Sequence, residues 1–237
     1  MSDRYLPYLL PVRSIVFVII FIAAAVLTGK DLDSISNIWS IVASAVNIVT
    51  ILLLIIASRK SGGYKKLINY EKGKTSRGQV IRMIILILVA SFGGMYIAGF
   101  ICYGKIPYMS PMMIMPIPIV PAVINLLILP VSTALAEDAL YLGCGTGHIR
   151  NRYIAVIVPA FFFALQHCFI PMLFDIRYMI YRFLSFLPLT VILCINYRKN
   201  RNPLPIMIGH SAVDLFAAGW ILATSAVPGF YEKLCSM

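Results

Sequence analysis

The chain has 237 residues, of which 60% are hydrophobic and only 12% are charged. Globular domains average about 45 to 50% apolar and about 25% charged residues, so this composition excludes an ordinary soluble domain. A net charge of +11 is also found in nucleic-acid binders, which carry their basic residues on a solvated face. Here the basic residues stand between long apolar runs. We therefore expect an integral multi-pass membrane protein with the lipid bilayer as its partner and with no nucleic-acid partner.

Seven apolar runs are long enough to cross a bilayer, which takes about 20 helical residues. In chain order, the predicted spans are residues 14–29, 34–58, 83–104, 117–142, 153–173, 178–197 and 206–227. Five prolines between Pro107 and Pro121 oppose a continuous helix, and this stretch is predicted to hold a re-entrant or interfacial piece. The predicted fold class is all-α, a polytopic transmembrane helical bundle of about seven to eight spans that forms a single membrane domain, 1–237.

The distribution of lysine and arginine predicts the orientation, because short loops rich in these residues resist translocation. An N-terminus inside the cell places 15 of the 20 basic residues in cytoplasmic segments, with Arg13 counted in the N-terminal one. We expect a cytoplasmic N-terminus, an outer C-terminus and a plasma-membrane location. The basic loop 59–82 is expected near anionic headgroups. A cleaved signal peptide that ends near Ala25 is the alternative interpretation of the first apolar run.

Ionisable side chains inside a membrane are unfavourable and mark function by default. The first three spans contain none, whereas the later spans carry Glu137, Asp138, His167, Arg182, His210 and Asp214. The site is therefore predicted to be built from the C-terminal half. His210 and Asp214 are four residues apart and share a helix face, as do Phe163 and His167. The adjacent carboxylates are about 100° apart on a helix, which predicts two different roles for them.

These residue types indicate water activation. A buried carboxylate beside an imidazole can take a proton from water, and a second polar pair can hold the oxygen that becomes negative when a carbonyl is attacked. Glu137 with His167, facing His210 with Asp214, has this composition. The alternative is a zinc ion on Glu137, His167 and His210, but there is no HExxH helix to support it. We expect no metal and no other cofactor.

Three segments resemble the motifs EExxxR, FxxxH and Hxxx(N/D) of the CPBP intramembrane proteases. This family includes the Ras-converting CAAX prenyl endopeptidase and the bacterial Abi immunity proteins. The segments are 137–143, 163–167 and 210–214, and the resemblance covers residues 136–218. It implies a CPBP-like catalytic core at 117–227, preceded by N-terminal spans and the basic cytoplasmic loop in 1–116.

The resemblance implies an intramembrane endopeptidase, a hydrolase that cleaves a peptide bond near the membrane face. Glu137 is the expected catalytic carboxylate and activates water with His167, while His210 and Asp214 polarise the carbonyl and hold the oxyanion. Asp138 and Phe163 are the expected supporting residues. The expected substrate is a membrane peptide or a lipidated peptide.

Two runs of aromatic or methionine residues have two possible interpretations. The runs 161–163 and 109–115 are expected to be packing residues, with a lipid or prenyl pocket as the alternative.

The chain departs from the family pattern at three positions. Leu142 stands at the motif arginine, Asp138 replaces the second glutamate, and Asp214 stands where many relatives have asparagine. Asp138 is therefore predicted to be neutral, hydrated or matched by Arg150 or Arg182. An ionised Asp214 cannot donate to an oxyanion, so it is either protonated or orients His210. The missing arginine favours an alternative function, a non-enzymatic membrane protein such as a bacteriocin-type immunity protein, a transporter or a scaffold.

Helical rise predicts different depths for the first two motifs. His167 lies about 21 Å along the fifth span, whereas Glu137 lies only about 7 Å before Leu142. The two depths match only if the fourth helix continues past Gly143, and the glycines at 143, 145 and 147 weaken that extension.

Overall fold

The computed structural model describes residues 3–106, 108 and 110–236 of the chain. Within this part it contains no strand, and its α-helices are α1 (Val12–Thr28), α2 (Leu32–Ser36), α3 (Trp39–Ser58), α4 (Tyr64–Leu67), α5 (Arg77–Tyr103), α6 (Ile119–Thr133), α7 (Ile154–Gln166), α8 (Ile176–Asn200), α9 (Leu204–Ala226) and α10 (Phe230–Cys235). Short 3-10 helices form at Asp3–Leu9, Arg59–Ser61 and Pro111–Ile114, and a π-helix, Ala134–Thr146, continues α6. The predicted all-α polytopic bundle is confirmed.

Among the described residues, six helices are long and apolar enough to cross a membrane. They comprise residues 5–28, 39–61, 77–103, 119–146, 176–200 and 204–226. Each of the seven predicted spans corresponds to a helix, but the fifth is the 13-residue α7. At about 20 Å this helix is shorter than the roughly 30 Å apolar core of a bilayer. The first span is longer than predicted because the 3-10 turn ahead of α1 extends it to 24 residues.

The proline-rich stretch between α5 and α6 is not a continuous helix. Its described part contains the 3-10 helix Pro111–Ile114, whereas Pro107 and Met109 lie outside the described residues. The carbonyl of Ile114 accepts a hydrogen bond of 2.8 Å from the hydroxyl of Thr224 in α9. The stretch is thereby tied to the C-terminal end of α9.

The fourth helix does not end at Leu142, and the prediction that glycines would weaken its extension is wrong. The π-helix continues α6 to Thr146, and the N–H of Gly147 still donates to the carbonyl of Leu142 at 2.7 Å. Close packing explains a glycine here, because a methyl group on Gly145 would lie only 2.8 Å from Cγ of Pro159 in α7. The glycine therefore permits the π-helix and α7 to lie side by side. Glu137 belongs to the same π-helix and is buried inside the bundle.

The later helices surround the π-helix. α5 packs against α8 and α9, α6 packs against α9, and α7 packs against α8 and the π-helix. The N-terminal helices α1 and α3 complete the enclosure, since α1 contacts α7 and α3 contacts both α6 and the π-helix. The polar residues of the π-helix, α7 and α9 therefore meet inside the bundle.

Candidate active site

Glu137 forms a buried ion pair with Arg13 of α1. Nη2 of Arg13 lies 2.9 Å from Oε1 of Glu137, and the two residues are only 2% and 3% exposed. The prediction that the site is built from the C-terminal half alone is therefore wrong, as is the assignment of Arg13 to a cytoplasmic segment. The signal that could have found this arginine is its setting, because apolar residues flank it on both sides, with Leu10 and Ile15 among them.

Arg13 links four elements through its guanidinium group. Besides Glu137 in the π-helix, it donates to Oδ1 of Asn47 at 2.9 Å and to Oγ1 of Thr50 at 3.1 Å, both in α3. Its Nε donates to Oε1 of Gln166 at the end of α7, at 2.8 Å. Four of the five guanidinium N–H groups thus have an acceptor. These hydrogen bonds hold the guanidinium group in one position and thereby fix the Glu137 carboxylate that is bound to it.

Asp138 pairs with His210 of α9 and not with an arginine. Oδ1 of Asp138 lies 3.1 Å from Nδ1 of His210, and both residues are buried. The predicted partners of Asp138 are wrong: Arg150 is exposed, and Arg182 donates to backbone carbonyls. Because an ionised carboxylate only accepts hydrogen bonds, Nδ1 of His210 is the donor.

The second nitrogen of His210 faces two further carboxylates. Its Nε2 lies 3.9 Å from Oε2 of Glu137 and 3.7 Å from Oδ2 of Asp214. Both oxygens are buried and have no hydrogen-bond partner among the described residues. These distances exceed a direct hydrogen bond, yet they suit groups bridged by one water molecule. The arrangement can therefore hold a water molecule between a carboxylate and an imidazole.

His167 lies at the C-terminal end of α7, on the other side of Phe163. Its Nδ1 donates to the carbonyl of Phe163 at 2.8 Å, so Nε2 is an acceptor while the ring is neutral. The ring stacks on Phe186 of α8 at 3.5 Å. Phe163 lies 6.1 Å from the His167 ring and 5.8 Å from the His210 ring. In the described part of the chain no carboxylate lies within 4.0 Å of His167, so no ion pair joins Glu137 to His167, and the imidazole within 4.0 Å of Glu137 is that of His210.

Metal binding has no clear donor set in this region. Among residues 3–106, 108 and 110–236, no three His, Cys, Asp or Glu side chains are grouped in a way that could hold a metal ion. Zinc on Glu137, His167 and His210 thus finds no support from geometry. The expectation of no cofactor stays a prediction.

Residues 119–216 match a known protein family, described as the Rce1-like type II CAAX prenyl endopeptidases. Neither a curated protein nor a solved structure matches the chain. The family match begins at the first residue of α6 and ends within α9, so it includes all three motifs and confirms the resemblance seen in the sequence. Arg13, Asn47 and Thr50 lie outside it.

Proposed function

We propose that this chain, whose residues 119–216 are similar to type II CAAX prenyl endopeptidases, is an intramembrane endopeptidase that uses Glu137 to activate water. The observation that carries the proposal is that the two oxygens of the buried Glu137 carboxylate have different surroundings. Oε1 is held by Arg13 at 2.9 Å, and Oε2 faces Nε2 of His210 at 3.9 Å. One oxygen is thus fixed, while the other is left to accept a proton.

The proposed reaction is a direct attack of water on the scissile carbonyl. A water molecule between Glu137 and His210 gives a proton to Oε2 as its oxygen bonds to the carbonyl carbon. The carbonyl oxygen becomes negative and accepts a hydrogen bond from protonated Nε2 of His210, which Asp138 orients through Nδ1. Glu137 then returns the proton to the departing nitrogen as the C–N bond breaks.

His167 and Asp214 keep supporting parts in this proposal. Nε2 of His167 is a second acceptor that can orient the substrate or the water. Asp214 is four residues from His210 on the same helix and faces its Nε2 at 3.7 Å, which favours an orienting role over donation to the oxyanion.

Arg13 brings a positive charge to the site, as the motif arginine replaced by Leu142 would, but it pairs with Glu137 and not with Asp138. A buried carboxylate needs a partner that offsets its desolvation, and Arg13 provides both charge and hydrogen bonds from a different helix. The non-enzymatic alternative depended on the missing motif arginine, so this pairing favours the peptidase.

The proposed substrate is a membrane-associated peptide, with a lipidated peptide as the form that the family name suggests. His210 is the seventh residue of α9, about 9 Å from its start. In the proposed orientation α9 begins at the cytoplasmic side of the plasma membrane, so this depth favours a reacting bond near that side.

The test is cleavage by purified protein in liposomes, with a farnesylated CAAX peptide and its unmodified form, each carrying a fluorophore and a quencher. Glu137→Gln is expected to lower kcat by about 10²- to 10⁴-fold, the usual contribution of a general base. Glu71→Gln makes the same chemical change in an exposed loop and is expected to leave the rate unchanged.

Two outcomes contradict the proposal. A Glu137→Gln protein that elutes as folded and cleaves at the wild-type rate removes this residue from the reaction. Wild-type protein that cleaves neither peptide, yet protects cells from a peptide toxin equally well with Glu137→Ala, selects the non-enzymatic alternative.

A further inference from the structure

Gln166 is the last residue of α7 and occupies an unspecified position of the FxxxH motif, one residue before His167. The residue is 0% exposed. Its Oε1 accepts hydrogen bonds from Nε of Arg13 at 2.8 Å and from the hydroxyl of Tyr141 at 3.0 Å. Because an arginine nitrogen can only donate, the atom on this side of the amide is the oxygen. The amide nitrogen of Gln166 therefore faces the other way.

The free side of the Gln166 amide faces the carboxylate of Glu137. The two side chains interact, yet neither Nε2 of Gln166 nor Oε2 of Glu137 has a hydrogen-bond partner among the described residues. One of these buried atoms is a donor and the other is an acceptor, and no direct hydrogen bond joins them. Buried polar groups are normally bonded to protein or to ordered water, so the pair indicates a water molecule that both atoms bind.

One edge of the Arg13 guanidinium group holds both side chains. Its Nε donates to Oε1 of Gln166, and its Nη2 donates to Oε1 of Glu137 at 2.9 Å. Because the guanidinium group is a rigid planar fork, it fixes the two acceptors relative to each other. Arg13 thus binds one end of each side chain and leaves Nε2 of Gln166 and Oε2 of Glu137 for a third group.

A water molecule at this position has enough polar neighbours. Buried waters make about three hydrogen bonds, and Nε2 of His210 lies 3.9 Å from the same Oε2 of Glu137. Gln166, Glu137 and His210 therefore surround one small volume with a donor, an acceptor and an imidazole. The amide of Gln166 selects an oxygen with a lone pair, because an N–H group cannot bind a cation.

We propose that Gln166 is a further catalytic residue, whose amide binds the water molecule that Glu137 activates; this inference rests on the proposed function. The water oxygen accepts a hydrogen bond from Nε2 of Gln166 and keeps its second lone pair for the carbonyl carbon. As the C–O bond forms, one proton of the water passes to Oε2 of Glu137. The oxygen gains negative charge as the proton leaves, so its hydrogen bond from the amide becomes stronger.

The first test removes the amide donor and keeps the acceptor. In Gln166→Glu, one carboxylate oxygen can still accept from Arg13 and Tyr141, but the other has no N–H for the water. In the liposome cleavage assay, kcat is expected to fall about 10²-fold with KM unchanged, because the nucleophile is misplaced while substrate binding is retained. A folded Gln166→Glu protein that cleaves at the wild-type rate overturns the proposal.

Gln79→Glu is the matched control for this change. Gln79 is exposed near the start of α5, where its side chain accepts a hydrogen bond from the backbone N–H of Ser76. A glutamate forms the same capping box, so this variant is expected to cleave at the wild-type rate.

The second test separates the lost donor from the added negative charge. Gln166→Met is neutral and similar in length, and it also lacks the N–H group. It is expected to lower kcat to a similar extent, again with KM unchanged. Because Gln166→Met also gives Arg13 no acceptor, its thermal midpoint is measured in parallel. Wild-type kcat in Gln166→Met would assign the loss in Gln166→Glu to charge and overturns the proposal.

The third test locates the water without turnover, and it decides the question should Gln166→Met fail to fold. A crystal structure that shows ordered water is expected to contain one within about 3 Å of Nε2 of Gln166 and of Oε2 of Glu137. Direct contact between the two side chains, or no water between them, overturns the proposal. If this water is present but the wild-type protein cleaves no peptide, the peptidase function fails and the water-binding role of Gln166 stands.

Discussion

Arg13 and Glu137 decide how a charged carboxylate is kept inside an apolar bundle. Each is unfavourable there alone, and together they are compensated by the amide and hydroxyl groups of Asn47, Thr50 and Gln166. Removing one member of a buried ion pair leaves an uncompensated charge, and such changes destabilise proteins by about 3–5 kcal/mol. The pair is therefore expected to behave as one energetic unit.

A double-mutant cycle tests this coupling. Arg13→Met is expected to lower the unfolding free energy much more in the wild-type background than in the Glu137→Gln background, with a coupling of about 1–3 kcal/mol. Denaturant unfolding of the purified protein in detergent gives the four free energies. The unfolding free energy of Arg13→Lys should lie between those of the wild type and Arg13→Met, because an ammonium group keeps the charge but has only three donors. Additive losses would show that the two residues are independent.

Sequence reasoning found the motif residues but not all of their partners. The resemblance identified Glu137, Asp138 and His210 because their spacing repeats a family pattern. Arg13 is 124 positions away from Glu137 and belongs to no motif, so its contribution depends on the packing of α1, which a one-dimensional pattern does not contain. The same limit applies to the choice of His210 over His167 as the neighbour of Glu137.

At the scale of elements, the π-helix explains why the adjacent carboxylates have separate partners. Glu137 meets Arg13 of α1, and Asp138 meets His210 of α9. The sequence predicts an apolar helix here, and it also predicts two roles for the pair. It does not predict the π form, since an apolar run of this length has no periodicity that separates i→i+5 from i→i+4 hydrogen bonding.

The close packing of α5 against α8 requires a glycine at position 94 but not at the adjacent position 93. A methyl group on Gly94 would overlap the carbonyl of Ser185 in α8, whereas a methyl group on Gly93 meets no atom within 4 Å. Gly94→Ala is expected to lower the thermal midpoint and to destabilise the protein by about 1–3 kcal/mol, because overpacking forces the helices apart. Gly93→Ala is the matched control and should be neutral or slightly stabilising, since alanine favours helix. Equal midpoints for the two variants would contradict the close contact.

At the scale of the whole molecule, the apolar runs and the basic loops give different kinds of information. The runs alone predict seven helices at nearly the observed positions, because about 20 apolar residues have few alternatives to a spanning helix. They do not predict that α7 is short, since the apolar run continues through Leu173 after the helix has ended at Gln166. Orientation depends on the loops, and the inclusion of Arg13 among loop residues shows that the count of basic residues needs the structure as a check.

The predicted orientation can be tested through the cysteines. Cys235 is exposed, Cys102 is partly buried, and the other three are buried. In a Cys102→Ser background, a membrane-impermeant maleimide should label Cys235 in intact cells, because the C-terminus is predicted to lie outside. The matched variant adds Cys235→Ser and places a cysteine at the exposed Lys72 of the basic loop, as Lys72→Cys. It should react only after the cells are permeabilised, because positively charged loops stay inside. Labelling of both positions in intact cells would mean an even number of crossings between them, and the reversed pattern would mean an inverted protein with its candidate site toward the outer face.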